Sequence, residues 1–489
     1  MTRQRYFLLA VLPLFLTASL FGQQIQQQKS SYISYTSARS TLEALAEDLP
    51  PELKGKSSGD VKAAWPAWVA RRDAEIRGRL IQGDEDSLVN LLLFGTSFTR
   101  QPRITGKQVI LLARIAAQHG IGASLPSPSA EESKLDEILI ARINDLIKGL
   151  TVPGNNERLL FAHQLVVAKK GYAPASGAGR DQIKKYLLTS LERVLSEQTS
   201  YAKALEDARL LGNPSEEFYE RSRVYRARGL SLDTSLLPDF AIEEALKAMK
   251  GKGLLKEGTV RHIAIVGPGL DFTDKQEGYD FYPQQSIQPF AVIDSLLRLG
   301  LSSLGNLRLE TLDLSPRVND HLRRARRLSQ EGKEYVVQLP RNLQAGWQAE
   351  AVHYWEHFGD QIGVSALPVG IPADVSEVKV RAVRIKPSVV SRITPIDLNI
   401  VLQRLEFPPA ARFDLIIATN ILVYYDVFEQ SLAMVNVEQM LRPGGFLISN
   451  NALPEFPFLP LHAFGYLTVA YSDRPNDGDH IVWYQRKAD

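Results

Sequence analysis

At 489 residues the chain is too long for one ordinary core, which predicts two domains. Hydrophobic content of 44% and charged content of 23% are those of a soluble globular protein. A net charge of +2 gives no reason to expect nucleic acid or an anionic membrane surface as a partner, and the lack of cysteine excludes disulfides, thiolate nucleophiles and cysteine metal sites.

The N-terminus stands apart. Arg3 and Arg5 precede an apolar run, Phe7 to Phe21, and a polar stretch, Gln23 to Lys29, follows it. That order is the pattern of a secretory signal peptide. Gly22 is a small residue suited to a cleavage point, but Leu20 fits poorly three residues before the cut, so an uncleaved signal anchor is the alternative reading. The run falls short of the about 20 residues that span a bilayer. The expectation is export or membrane anchoring at the cell envelope through residues 1–22, or a cytoplasmic chain if that segment is not used. Residues 23–34 read as a polar tether.

From residue 35 to 250 the pattern is helical. Ser40 and Thr41 suit a helix N-cap, and Trp65, Trp68, Val69, Ile76 and Leu80 recur at three- to four-residue spacing. Ile138, Ile143, Leu146 and Ile147 repeat that spacing, as do Leu187, Leu188, Leu191, Val194 and Leu195. Leu125–Ser129 and Gly171–Gly179 read as loops, and Asn213–Glu217 as a helix restart. A last helix around Phe240–Leu246 ends at Gly251 or Gly253. The boundary is placed between Gly229 and Gly258, with an α/β domain over residues 255–489.

Past Val260 strand and helix patterns alternate, which predicts a mostly parallel sheet. The expected strands are Ile263–Val266, Leu307–Asp313, Val378–Ile385, Phe413–Thr419 and Gly445–Asn450, then a hairpin of Tyr466–Tyr471 and His480–Gln485. The first ends in Gly267-Pro268-Gly269-Leu270-Asp271, the second in Asp313-Leu314, and the fourth in Asn420. A glycine turn after the first strand and an acid after the second is how a nucleotide-type site is built.

In these residues, and in their order, the C-terminal half resembles the class I S-adenosylmethionine-dependent methyltransferases. Asp414 to Asp426 resembles the fourth-strand segment of the chemotaxis-receptor branch, whose members also carry a helical N-terminal domain. The resemblance implies an α/β Rossmann-like methyltransferase domain, with a mostly parallel sheet and an antiparallel last strand, preceded by an all-α domain. It implies S-adenosylmethionine as cofactor. Gly267, Pro268 and Gly269 would lie under its amino-acid portion and ribose, Asp313 and Leu314 at the ribose, Asp397 and Leu398 at the adenine, and Asn420 at the mouth of the sheet. Asp271, where a third glycine is usual, would either bind the cofactor ammonium or block the site. Tyr424 would sit near the transferred methyl. Tyr279 and Tyr282, in an aromatic insertion, would cover the pocket or form the acceptor site, or simply pack on the core. No Asn-Pro-Pro-Tyr motif is present, so base methylation of nucleic acid is not indicated. The acceptor is expected to be a small molecule or a protein.

Two other readings stand beside this one. Export takes the chain away from a cofactor made in the cytoplasm, so the fold could serve as a non-catalytic envelope module. His353-Tyr354-Trp355-Glu356-His357 also matches the His-x-x-Glu-His pattern of zinc peptidases, with His353 and His357 as ligands and Glu356 activating water.

Overall fold

The structure, a computed structural model, describes residues 29–119, 129–210, 225, 228–274, 277–450, 452–474 and 477–487. The leader, the loop up to residue 128 and the helix restart at 213–217 lie outside the described residues. No helix among the described residues is long and apolar enough to cross a membrane.

Seven strands build the central sheet: β1 His262–Val266, β2 Arg308–Asp313, β3 Ile393–Asp397, β4 Phe413–Ala418, β5 Leu441–Ser449, β6 Leu461–Ala470 and β7 Gly478–Arg486. Their order is β3-β2-β1-β4-β5-β7-β6, and β7 alone runs against the direction of the other six. This is a doubly wound, Rossmann-like α/β fold with an antiparallel strand near one edge, preceded by helices. The central strands β1 and β4 are nearly continuous apolar runs because helices cover both their faces.

One face packs on helices Leu237–Gly251, Gln288–Arg298 and Pro316–Gln330, through Ile263, Ile265, Leu309 and Ile417. The other packs on Val427–Met440 and on the first half of Ser58–Phe94, through Ala264, Val266, Ile416 and Leu447. Ser58–Phe94 runs 37 residues, about 55 Å at 1.5 Å per residue. Its first half, with Trp65 and Trp68, belongs to the sheet. Its second half, from Leu88, belongs to a separate helical core with Ala130–Thr151 and Gly177–Leu210. The cores therefore do not divide at residue 250: helix Leu237–Gly251 is a layer of the sheet, and Tyr35–Ala44 packs on Val427–Met440.

Three expectations need correcting. Val378–Ile385 is a strand, but it lies outside the central sheet. It is the middle of a three-stranded antiparallel sheet, between Tyr335–Asn342 and Gly363–Ala366, inserted between β2 and β3. Its place is taken by β3, an edge strand that tolerates Pro395 because one side has no ladder to complete. The end of the expected tether is structured too, since Ser30–Tyr32 pairs with Gln403–Leu405. The first helix starts at Tyr35 under a Ser34 cap rather than at Ser40.

Candidate functional site

Strand order reverses between β1 and β4, and the crevice beyond the carboxyl ends of such strands is where open α/β sheets bind ligands. Here it is edged by the Gly267–Gly269 turn, by Asp313 closing β2 and by Asn420 past β4. Gly267 and Gly269 both have positive φ, +64° and +67°, a conformation glycine adopts freely. A Cβ on Gly267 would lie 2.2 Å from Ile421 Cδ1, and one on Gly269 would lie 2.8 Å from the Leu232 carbonyl. The chain itself presses on the turn.

What presses is a strap, residues 229–234, laid between the long helix and the turn. Leu270 N donates to Leu232 O (2.8 Å), Thr234 N to Leu270 O (3.2 Å) and Leu230 N to Arg79 O (3.2 Å). Ser87 and Asn90 donate to the Asp233 carboxylate at 3.1 and 3.2 Å. The crevice holds two chambers of about 50 Å³ each, which share Ser231 and Leu232 of the strap, the two glycines, Ile421 and Tyr424 in their walls. The first lies over Gly267, Asp313, Leu314 and Leu398, with Leu80 and Tyr425 above. The second lies over Gln288, Thr419 and Asn420. A third and larger cavity, about 800 Å³, opens between the helical core and the sheet domain, with Asn90, Arg103, Arg228 and Glu277 in its wall. Ser231 and Tyr424 line all three spaces.

The long helix pins this arrangement. Arg79 donates to the carbonyls of Tyr424 (2.9 Å), Tyr225 (3.0 Å) and Arg228 (3.2 Å), and the Tyr225 ring meets Tyr424 edge-on at 5.2 Å. At Gly83 the helix touches the strap so closely that a Cβ would stand 1.8 Å from Leu230 O. Gly83→Ala is therefore expected to lift the strap and to speed amide exchange at Leu230, Leu270 and Thr234 by about tenfold or more. Unchanged exchange at those amides would mean the strap is not held there.

Asp313 is the predicted residue that the geometry places best. It is 5% exposed and accepts from Ser315 N at 2.7 Å. Burial pushes its carboxyl up to about 7. The nearby Asp397 charge adds to this, while the Ser315 and Gly269 amides oppose it. Gly267, Gly269, Leu314 and Leu398 line the same chamber, and Pro268 is buried between its two glycines. Asn420 lines the second chamber at φ +57°, the one non-glycine with positive φ among the described residues. A reciprocal pair of hydrogen bonds to Asn450, at 2.8 and 2.6 Å, holds it there.

Four predicted roles are not supported by position. Asp397 is not in the chamber wall: its half-exposed carboxylate is ion-paired to Arg77 of the long helix at 2.8 Å. Asp271 turns the other way and neither meets nor blocks the crevice. It is buried and accepts from Tyr282 Oη (3.0 Å) and Gln285 Nε2 (2.8 Å), and burial raises its carboxyl well above the usual range. Tyr279 and Tyr282 pack on Val378 and Val380 of the small sheet and on Val375 of the short turn before it, because the insertion is gripped between that sheet and the helical core. Arg158 donates to the Tyr282 carbonyl, and Arg103 lies 4.8 Å over the Tyr279 ring. His353 and His357 do lie side by side on helix Ala349–His357, their rings tilted by 50° with centroids 4.3 Å apart. His357 Nδ1, however, is held by Asp360 at 2.9 Å, and no group of three potential ligands converges among the described residues, so the zinc-peptidase constellation is not assembled.

The strap, Arg77 and Arg79 went unseen in the sequence. The one available signal was Gly83, a glycine in mid-helix, which marks a close backbone approach.

No family model matches the chain, and no curated protein does. Among solved structures, TrmN from Thermus thermophilus is similar at 12% identity and a TM-score of 0.25, over 51% of this chain and 52% of that one, so the chain spans about half of its length. The glycopeptide N-methyltransferase MtfA complexed with S-adenosyl-L-methionine is similar at 13% identity and a TM-score of 0.21, over 51% and 77%. MtNAS in complex with MTA and tNA gives 11% and 0.22, over 74% and 99%. Scores this low carry no argument about the site, which rests on the geometry of this chain.

Proposed function

We propose that the chain is an S-adenosylmethionine-dependent methyltransferase whose acceptor, a small molecule or a protein segment, enters the 800 Å³ cavity. The observation that carries the reading is Asp313: a buried carboxylate at the carboxyl end of β2, beside a glycine turn at the switch point of this sheet. Such a group is suited to accept both hydroxyls of a ribose. Leu314, Leu398 and Ile400 offer the adenine an apolar seat. The fit requires movement. Pockets for ligands of this size run about 300–1,000 Å³, so Ser231, Leu232 and Ile421 must give way for the two chambers to merge.

The cofactor, when bound, supplies a methyl group on a sulfonium, and the chain then has to place the acceptor in line and exclude water. Tyr424 stands where an acceptor in the cavity meets the crevice, and Arg79 fixes its backbone. The closed chambers favour a second reading, a non-catalytic envelope module that keeps the fold.

Calorimetric titration of S-adenosylhomocysteine into the whole protein separates the two readings. Micromolar binding supports the enzyme; a well-folded protein that binds nothing supports the module. The titration also has a pH signature. Asp313 titrates near 7 in the free protein, and the ribose favours the carboxylate, so binding releases a proton below that pH. Affinity is expected to be about tenfold weaker at pH 6 than at pH 8. The sign is opposite for folding: a carboxyl raised from 3.8 to about 7 makes the free protein lose stability as pH rises between those values. A pH-independent affinity would remove Asp313 from the binding step.

A further inference from the structure

The small sheet inserted between β2 and β3 carries a surface that the crevice does not use. Its register sets Arg341 opposite Lys379 and Leu339 opposite Arg381. Facing residues on paired strands share a side, and alternate residues along a strand do too. Arg341, Lys379 and Arg381 therefore project from one face. Their charged ends lie 5.1, 5.6 and 5.4 Å from one ring centroid, that of Trp355. The indole is fully buried, so the three cationic ends cover its ring as cation–π contacts; Arg381 also donates to the Trp355 carbonyl, while Arg341 is half-buried and Lys379 exposed at the rim. None of the three forms an ion pair among the described residues, whereas Arg384, of opposite parity, is paired to Glu334 at 2.9 Å. The carboxylates whose charge reaches Arg381 are Asp360, Glu356 and Asp294. Asp360 holds His357 and Asp294 is paired to Arg298.

Apolar side chains flank this row on both sides. Leu343, two residues beyond Arg341, is 54% exposed. Across the sheet Leu367 follows the Ala366–Ala382 pair, next to Arg381, and is 92% exposed, the highest value of any large apolar side chain among the described residues. It opens the run Leu367-Pro368-Val369-Gly370-Ile371-Pro372, which has no charged or polar side chain. Val369 N donates to Gln338 Oε1 at 3.2 Å and so holds the run against the sheet, and Ile371 is 42% exposed. One exposed leucine needs no explanation. Exposed apolar groups on both flanks of Arg341 and Lys379, which no carboxylate pairs among the described residues, are a different matter.

We infer that this face docks on an anionic lipid surface, with Leu367 and Ile371 entering the boundary between headgroups and acyl chains while Arg341 and Lys379 meet phosphates. The apolar groups are spread around the cations instead of forming one shaped patch, which matches a fluid surface better than a folded partner. The overall charge of +2 gives no hint of this, because it averages a local cluster over the whole chain. The inference is independent of whether the crevice binds a cofactor.

The chain has no cysteine, so Leu367→Cys carries a single environment-sensitive nitrobenzoxadiazole label on an exposed site of the whole protein. Ile110→Cys, 64% exposed on helix Gly106–His119, is the control. On vesicles of mixed phosphatidylglycerol and phosphatidylcholine, the label at 367 is expected to brighten by about threefold and shift to the blue, with little change at 110. In Arg341→Gln/Lys379→Gln protein that response should fall to the level seen on pure phosphatidylcholine. The apolar run Phe7–Phe21 could tether the chain to either vesicle, but the label reads its own surroundings. No response at 367, equal responses at 367 and 110, or equal responses on neutral and anionic vesicles would each overturn the proposal. So would a response to polyglutamate but not to vesicles, which would assign the face to an acidic protein partner.

Discussion

Asp313→Ala is expected to abolish S-adenosylhomocysteine binding while leaving the protein folded. Hydrogen bonds to a charged group contribute about 1.5–3 kcal/mol each, so losing two ribose contacts costs about 3–6 kcal/mol, or at least about a hundredfold in affinity. The folded state has little reason to suffer. Ionising Asp313 works against folding, since burial holds its carboxyl near 7, and the loss is confined to its bonds with the Ser315 and Gly269 amides. The measurement is calorimetry alongside thermal unfolding. Full binding by the alanine variant would mean that Asp313 is only a turn-forming residue. Unfolding of the variant would leave the question to Asp313→Asn, which keeps the shape and one acceptor oxygen but loses the charge.

The largest effect on stability is expected at Arg142. Its side chain is fully buried in the helical core, where it donates to the carbonyls of Leu92 (2.6 Å), Gln101 and Pro102 (both 3.0 Å) and Gly95. These four acceptors sit where Ser58–Phe94 ends and the following loop begins, so one guanidinium closes the helix terminus and orders the loop. Arg142→Met fills similar space and leaves the carbonyls without donors. At about 1–3 kcal/mol per orphaned buried group, partly relieved by water, a loss of about 4 kcal/mol is expected. The urea midpoint of the helical circular dichroism signal would show it. A lysine should not rescue it, because a point charge cannot span four carbonyls as a planar fork does. A variant within about 0.5 kcal/mol of the parent would show that water replaces the guanidinium without loss.

The parts of the site that were legible in sequence are those fixed by local rules. Ile263–Val266 followed by Gly-Pro-Gly can hardly be other than a buried strand and a tight turn, and Asp313 closes a strand whose apolar run is equally plain. The errors came from long-range partners. Asp397 stands where the sequence resemblance places an adenine-binding acid, but Arg77 reaches it from 320 residues earlier in the chain. Asp271 and the tyrosines at 279 and 282 follow the glycine turn in sequence, yet the insertion they belong to folds away from it to plug the gap beneath the small sheet. β3 escaped notice because an edge strand is only half-buried and its proline hides the pattern. The strap lay in a stretch that read as a boundary between domains, because a segment held by its backbone bonds leaves little trace in side-chain pattern.

The shared helix bears on how such a protein can change over generations. Trp65 and Trp68 complete the core under Phe428, and two turns past Arg79 the same helix supplies the start of the second core. Neither half therefore has a clean seam at which recombination could cut. A new cavity wall cannot arrive as a ready-made module grafted onto an old sheet; it must be reached by substitution on a scaffold whose two parts inherit each other's changes.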